Sequence, residues 1–272
     1  MIPILSVCGL SQERIRLQEE QNQVALQTQK ERLQANLLRA VSHDLRTPLT
    51  NINGSAGILM REPETLDQET REKLYTAIYD DTSWLINMTE NLLAATRLET
   101  DRESFQPHPE LLEDLFQCAI QQLDRRAQEH TITVHLEEST LMVSIHTKLI
   151  LRVIINILNN AIQYTPKGSH IVLWGRRKGE RIEVEVSDDG PGIPDEAKKH
   201  LFDLFYTAEQ GKADCQRGLG LGLNLCQSIV SLHGGQITVS DHKPSGTVFR
   251  FTLPAIRSSE LTSCVEREMG PY

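Results

Sequence analysis

Val41-Ser42-His43-Asp44-Leu45-Arg46-Thr47-Pro48-Leu49-Thr50 lies inside a long run of helix-forming residues, and its polar and apolar positions separate. Val41, Leu45 and Leu49 recur every four residues, the spacing of a buried helical stripe, while His43 falls among Ser42, Asp44, Arg46 and Thr47 on the polar side. The imidazole of His43 is therefore expected to face solvent. Near neutral pH an exposed imidazole is partly unprotonated and nucleophilic, and Asp44 beside it can orient the ring or accept a proton during attack on phosphorus. A lone surface histidine ordinarily has no chemistry, and the other eight histidines fit that description.

Outward from this stretch, residues 12–40 are rich in Gln, Glu, Arg, Leu and Ala, all strong helix formers. Leu10, Leu17 and Val24 recur every seven residues, then Leu26, Leu33 and Ala40 do so in a shifted phase, the pattern of a coiled coil with a discontinuity. Pro48 removes a backbone donor five residues after His43, and Gly54 and Gly57 loosen the helix further, so an interruption with bending is expected there. Arg61 to Leu66 reads as a connector, and residues 67–100 as a second helix with Leu74, Ile78, Leu85, Met88, Leu92 and Ala95 at helical spacing. Trp84, Tyr75 and Tyr79 read as packing residues. Two one-striped helices cannot bury both stripes alone, so a four-helix bundle made by a homodimer is expected.

Composition narrows the function classes. The 272 residues, 39% hydrophobic and 24% charged, suit an ordinary folded protein of two compact units. With 28 Lys plus Arg against 37 Asp plus Glu the net charge is -9, which repels nucleic-acid phosphates and anionic lipid alike. The five cysteines form no Cys-x-x-Cys pair and fit a reducing cytoplasm. No run approaches the roughly 20 apolar residues that span a bilayer. Residues 1–10 carry no charged side chain, however, and two readings stay open: a disordered N-terminus, or the cytoplasmic end of a membrane helix.

After Thr100 the texture changes. Leu111, Leu112, Leu115, Phe116, Ala119 and Ile120 mark a helix, the alternating run 131–136 a strand, 142–145 another, and 147–164 a longer helix. Strands at 170–176 and 181–187, a glycine loop, a helix at about 221–232 and strands at 236–240 and 247–253 complete the pattern of a two-layer α/β sandwich.

Three polar clusters sit on that pattern. Asn156 and Asn160 are one helical turn apart, and neutral amide oxygens can ligate Mg2+; a buried hydrogen-bonding pair is an equally good reading of the two residues alone. Asp188-Asp189-Gly190-Pro191-Gly192 puts a carboxylate at a strand end, able to accept an exocyclic amine, before glycines that let a flat ring approach; an ordinary turn is the alternative. Arg217-Gly218-Leu219-Gly220-Leu221-Gly222 opens a helix, where exposed amides and a guanidinium favour phosphate. It fits neither the Walker nor the Rossmann pattern.

The run His43 to Thr50 resembles the phosphoacceptor box of bacterial sensor histidine kinases, and the three clusters resemble the N, G1 and G2 boxes of the GHKL ATPase superfamily. Phe202-Asp203-Leu204-Phe205 is similar to the F box, and His233-Gly234-Gly235 with Gly246-Thr247 to the later glycine motifs. The surrounding sequence resembles the kinase core of Kdp-type sensors. To the apolar stub at 1–10 and the coiled-coil-like signalling helix at 11–35 the resemblance adds a dimerisation and phosphotransfer domain at 36–102 and an ATP-binding domain at 103–256, followed by a tail at 257–272. It implies ATP and Mg2+ as cofactors, a homodimer, and a response regulator receiver domain as partner. By the same resemblance His43 is the phosphoacceptor, Asp44 the base and Thr47 a phosphatase-step residue. Asn156 and Asn160 would hold Mg2+, Asp188 would read adenine, Tyr164 would line the base site, and residues 203–219 would be the ATP lid. Gly190, Gly192, Arg217, Gly218, Gly220, Gly222 and Thr247 would complete the ATP site.

Two positions depart from the family pattern. Gln163 stands where many relatives have a phosphate-contacting lysine, with Arg217 and Lys212 available to compensate, and His146 where they often have aspartate. Two other functions compete with ATP-dependent histidine phosphorylation. One is a GHKL ATPase or serine kinase without a histidine relay; the other is a degenerate dimeric scaffold, which Gln163 favours.

Overall fold

A computed structural model describes residues 14, 16–18, 21, 24, 28, 41, 42, 44–61, 65–100, 105–123, 125–204, 206 and 220–256, with backbone alone at 94–100 and 125. His43, Phe205, Lys212, Arg217 and Gly218 lie outside these residues, as do Leu10, Leu26, Leu33 and Ala40 of the heptad pattern and the segments 1–10 and 257–272. The chain divides into two compact units, Met1–Ile86 and Asn87–Tyr272, with the division inside a helix.

In the first unit helix α1 covers residues 44–61 and continues through Pro48, Gly54 and Gly57, so the expected interruption is absent. Pro48 deprives the Asp44 carbonyl of its usual amide partner, one bond among the many of this helix, and the proline itself is buried. The Asn53-Gly54 pair is helical. The proposed stripe is only partly covered: Val41 is buried, Leu45 half-buried, and Leu49 is 53% exposed. Helix α2, Gln68–Thr100, starts at Asp67, whose Oδ1 accepts the Thr70 amide at 2.6 Å and caps the first turn. Tyr75 and Tyr79, read as packing residues, stand exposed in the single chain.

The second unit contains the end of α2 and then strand β1 (His108–Leu111), α3 (Leu112–Gln121), a 3-10 turn (Arg125–Glu129), β2 (Thr131–Leu136), β3 (Met142–Ile145) and α4 (Thr147–Tyr164). There follow β4 (His170–Lys178), β5 (Arg181–Asp188), α5 (Asp195–His200), α6 (Gly222–Leu232), β6 (Ile237–Asp241) and β7 (Thr247–Pro254). The main sheet runs β2-β4-β5-β7-β6, with β2 and β4 parallel and the other neighbours antiparallel; β1 and β3 form a separate antiparallel pair.

Period-two alternation assigns the sheet its two faces. Leu173, Val186 and Phe249 align in register across three strands, as do Gly175, Val184 and Phe251, and the side chains of the five other than Gly175 pack into one core with α3, α4 and α6. Helix α4 supplies Ile150, Val153, Ile154, Ile157, Leu158, Ala161 and Ile162, all buried, at intervals of three and four. The other face is polar. Trp174, Glu185 and Arg250 align across it, Arg250 Nε reaches Glu185 at 2.6 Å, and Arg176 pairs with Glu183. Burial pushes the Glu183 carboxyl up, but hydrogen bonds from Lys178 and Arg176 outweigh it and hold the group below its ordinary range.

Candidate nucleotide-binding site

The core face holds α4 against the sheet, and the polar residues of α4 fall on its remaining surface. Asn156, Asn160 and Tyr164 follow one another at one-turn intervals along it, the asparagines half-buried and Tyr164 49% exposed. At the C-terminal end of α4, Thr165 donates its hydroxyl to the Ala161 carbonyl at 2.7 Å, and its methyl lies against Gly190. A Cβ on Gly190 would stand 2.6 Å from that methyl, so only glycine lets the loop after β5 come this close.

Asp188 ends β5 inside this junction and is 6% exposed. Its Oδ1 accepts the amides of Gly190 at 3.0 Å and Thr247 at 3.1 Å, while no described residue donates to Oδ2. Burial raises the carboxyl above its ordinary value, opposed by those two amides. Thr247 is placed by the ladder, since β7 pairs with β5 up to Ser187 and Val248. Gly246, with φ +124°, packs on the Asp188 carbonyl, where any side chain would collide. The result is a buried carboxylate with one oxygen fixed and the other open to an amine donor. That chemistry suits the exocyclic amino group of adenine.

The middle of α4 faces the start of α6. Gly220, with φ +64°, and Gly222 lead into that helix, and its first amides are without intrahelical partners. Asn224 Nδ2 donates to the Phe202 carbonyl at 2.9 Å, tying α6 to the segment after α5. Cys226 is fully buried beneath Asn156, and burial pushes its thiol up to about 12. At the far end of α6, His233 Nδ1 donates to the Ile229 carbonyl at 2.8 Å and Nε2 accepts the His146 amide at 2.9 Å. Both ring nitrogens are engaged only in the neutral form, and burial lowers the pKa accordingly. His146 itself starts α4 through its carbonyl, which accepts the amides of Leu149 and Ile150.

The structure thus brings Asn156, Asn160, Tyr164, Asp188, Gly190, Gly192, Gly220, Gly222 and Thr247 into the second unit, around α4 and its neighbours. Asp44, half-buried, and Thr47, exposed, belong to α1 of the first unit. Thr165, Asn224, Cys226, Asn91 and Arg152 were not singled out from sequence. Each contacts a residue far along the chain or acts through a backbone group, so no local motif marks it.

Two family models match. Residues 33–101 match the His Kinase A (phospho-acceptor) domain, and residues 145–257 match the histidine kinase-, DNA gyrase B-, and HSP90-like ATPase. The chain belongs to the histidine kinase family. It is 38% identical over 238 residues to the sensor protein KdpD of Clostridium acetobutylicum, covering 88% of this chain and 26% of that protein. It is 31% identical to KdpD of Escherichia coli, covering 92% of this chain and 27% of that protein. The chain therefore spans about a quarter of the length of these relatives. The crystal structure of histidine kinase ThkA in complex with response regulator protein TrrA aligns with a TM-score of 0.60 at 26% identity, over 84% of this chain and 64% of that one. As a member of this family the second unit carries an ATP-binding fold, in agreement with the two-layer sandwich expected from the sequence. Among the described residues no helix is long and apolar enough to cross a membrane.

Proposed function

We propose that the chain is the kinase core of a two-component sensor: it transfers the γ-phosphoryl group of ATP to His43, and then to an aspartate of a response regulator receiver domain. The observation that carries this reading is the buried Asp188 carboxylate with one oxygen uncommitted, in a chain whose residues 33–101 match the His Kinase A (phospho-acceptor) domain. Residues 36–102 act as the phosphotransfer domain and 103–256 as the ATP-binding domain. The response-regulator complex of ThkA supports the choice of partner.

In the reaction Asp188 binds the adenine amine, Tyr164 flanks the base, and the amides at Gly220 and Gly222 with Arg217 face the phosphates. The donor set fits a hard divalent cation, since Asn156 and Asn160 offer neutral amide oxygens one turn apart on α4. Mg2+ held there supplies charge neutralisation at the phosphates. A ring nitrogen of His43 attacks the γ-phosphorus, the bond to the β-phosphate oxygen breaks and ADP leaves, and Asp44 takes the imidazole proton. Thr47 orients water when the phosphorylated regulator is hydrolysed. Exposure of Leu49, Ile58, Met60, Tyr75, Tyr79 and Ile86 supports a homodimer that covers them. The spacing of the five cysteines, with no Cys-x-x-Cys pair in the sequence, supports a cytoplasmic setting.

Gln163 favours a second reading, a dimeric scaffold without ATP affinity. Incubation with γ-labelled ATP and Mg2+ decides: label on His43 that survives base and is lost in mild acid supports the kinase, and its absence in His43→Gln assigns the residue. Undiminished labelling of His43→Gln would remove the assignment, and absence of any nucleotide binding would leave the scaffold.

A further inference from the structure

The amide of Asn156 is held from several sides. Its Nδ2 donates to Asn91 Oδ1 at 3.5 Å and to Cys226 Sγ at 3.8 Å. Gly222 lies beside it, where a Cβ would stand 3.9 Å from the same nitrogen. Both acceptors are themselves oriented. The Cys226 thiol directs its proton to the Val153 carbonyl at 3.9 Å, which leaves sulfur lone pairs for Asn156. Asn91 Oδ1 also accepts Arg152 Nε at 3.0 Å, and the same guanidinium pairs with Glu90 at 2.9 Å. Arg152 and Asn156 stand one turn apart on α4, so both reach one oxygen of α2.

A primary amide has two donor hydrogens at one end and an acceptor oxygen at the other. With the nitrogen committed to Asn91 and Cys226, Oδ1 is the uncommitted end, and no described residue donates to it. Rotating the amide by half a turn would set its oxygen against the Asn91 oxygen with no hydrogen between them, and against a thiol whose proton is already given to the Val153 carbonyl. The rotated form is therefore disfavoured by both contacts together.

We propose that Asn91 and Cys226 are positioning residues: they fix the Asn156 amide with its oxygen uncommitted, so that this oxygen serves as a ligand for the divalent cation that accompanies the nucleotide. The inference rests on the cation role given to Asn156 above. It adds a specific cause, outside the motif itself, for why an asparagine there presents oxygen rather than nitrogen. Glu90 and Arg152 act one step further out, by holding the Asn91 oxygen in place.

The test is the metal preference of ATP binding by the full chain, taken as the ratio of affinities with Mg2+ and with EDTA in calorimetric titrations. Asn91→Leu removes one acceptor and is expected to lower that ratio roughly three- to tenfold, the effect of losing one hydrogen bond, while the affinity in EDTA stays as in the wild type. Asn91→Asp keeps the acceptor oxygen and should restore the ratio. Cys226→Val should lower it and Cys226→Ser should preserve it, and this second pair carries the test if Asn91→Leu melts abnormally. An unchanged ratio in both Asn91→Leu and Cys226→Val overturns the proposal, and so does an equal loss of affinity with and without metal. A wild type that binds ATP equally well in Mg2+ and in EDTA overturns both the cation role of Asn156 and this inference. A wild type with no ATP affinity instead overturns the proposed function.

Discussion

One oxygen of Asp188 is committed to the amides of Gly190 and Thr247, and no described residue donates to the other. Asp188→Asn separates these two jobs. The new amide can keep its oxygen towards the two backbone donors, which turns its NH2 end to the position an adenine amine would occupy, donor against donor. ATP affinity should fall by about 1–3 kcal/mol, with little change in melting temperature, and a nucleotide with a keto group in place of the amine should lose less. Titrations of both nucleotides into the variant check this; equal losses would place the base elsewhere. Gln163 offers the complementary test. If a missing ammonium leaves phosphate charge unmatched, Gln163→Lys should tighten Mg-ATP binding by about 0.5–1 kcal/mol at low salt, with a gain that shrinks as salt rises. Unchanged or weaker binding would show that the glutamine amide already serves. The motif residues were legible because Asn, Asp and Gly stand out within apolar or extended surroundings. The Asn91 and Cys226 contacts to Asn156 were not legible, because 65 and 70 positions separate the partners.

At the scale of elements, the apolar stripe of α4 identified it from 147 to 164, and strict alternation identified β2 from 131 to 136, both with the ends observed. Strand β1 carries no such signal. Its four residues include Pro109, and its pairing partner β3 lies more than 30 positions away, so pairing rather than propensity defines it. Helix α5 is equally silent, since only Ala197 of its six residues is buried. The expected break of α1 at Pro48 failed because one missing donor does not outweigh the remaining helical bonds. The stripe of α4 makes Ile157→Ala costly, about 2–5 kcal/mol of the second unit's stability in urea or thermal unfolding. The junction of α4 with α6 predicts a pH effect. Burial holds the pKa of His233 below its ordinary 6.5, against the Ile229 hydrogen bond that raises it. The unfolded chain therefore takes up a proton at this residue first. Its contribution to stability is complete above pH 6.5 and is lost as the pH falls from there through the lower folded value. In His233→Gln, whose amide can both donate to Ile229 and accept from His146, the acid-side loss of melting temperature should be smaller. An identical slope in variant and wild type would remove the histidine as a source.

At the scale of the molecule, the first unit leaves Leu49, Tyr75 and Tyr79 each more than half exposed, apolar surface that a second copy could cover. Residues 30–100 alone should therefore form a helical dimer, and a monomeric folded fragment in analytical ultracentrifugation would contradict this. The change of texture near residue 100 made two units legible, although the compact division falls earlier, within α2, because contacts and not composition set it. The sheet order has a consequence for how the chain is made. The strand that leaves the ribosome last among the described elements, β7, does not sit at an edge: it lies between β5 and β6. Until residues 247–254 emerge, β5 has one bare side, β6 has no neighbour, and the places of Val248, Phe249, Phe251 and Leu253 in the core are empty. A premature stop just before Thr247 would thus remove an inner strand of the sheet and leave an open, apolar-backed strand for other nascent chains to pair with.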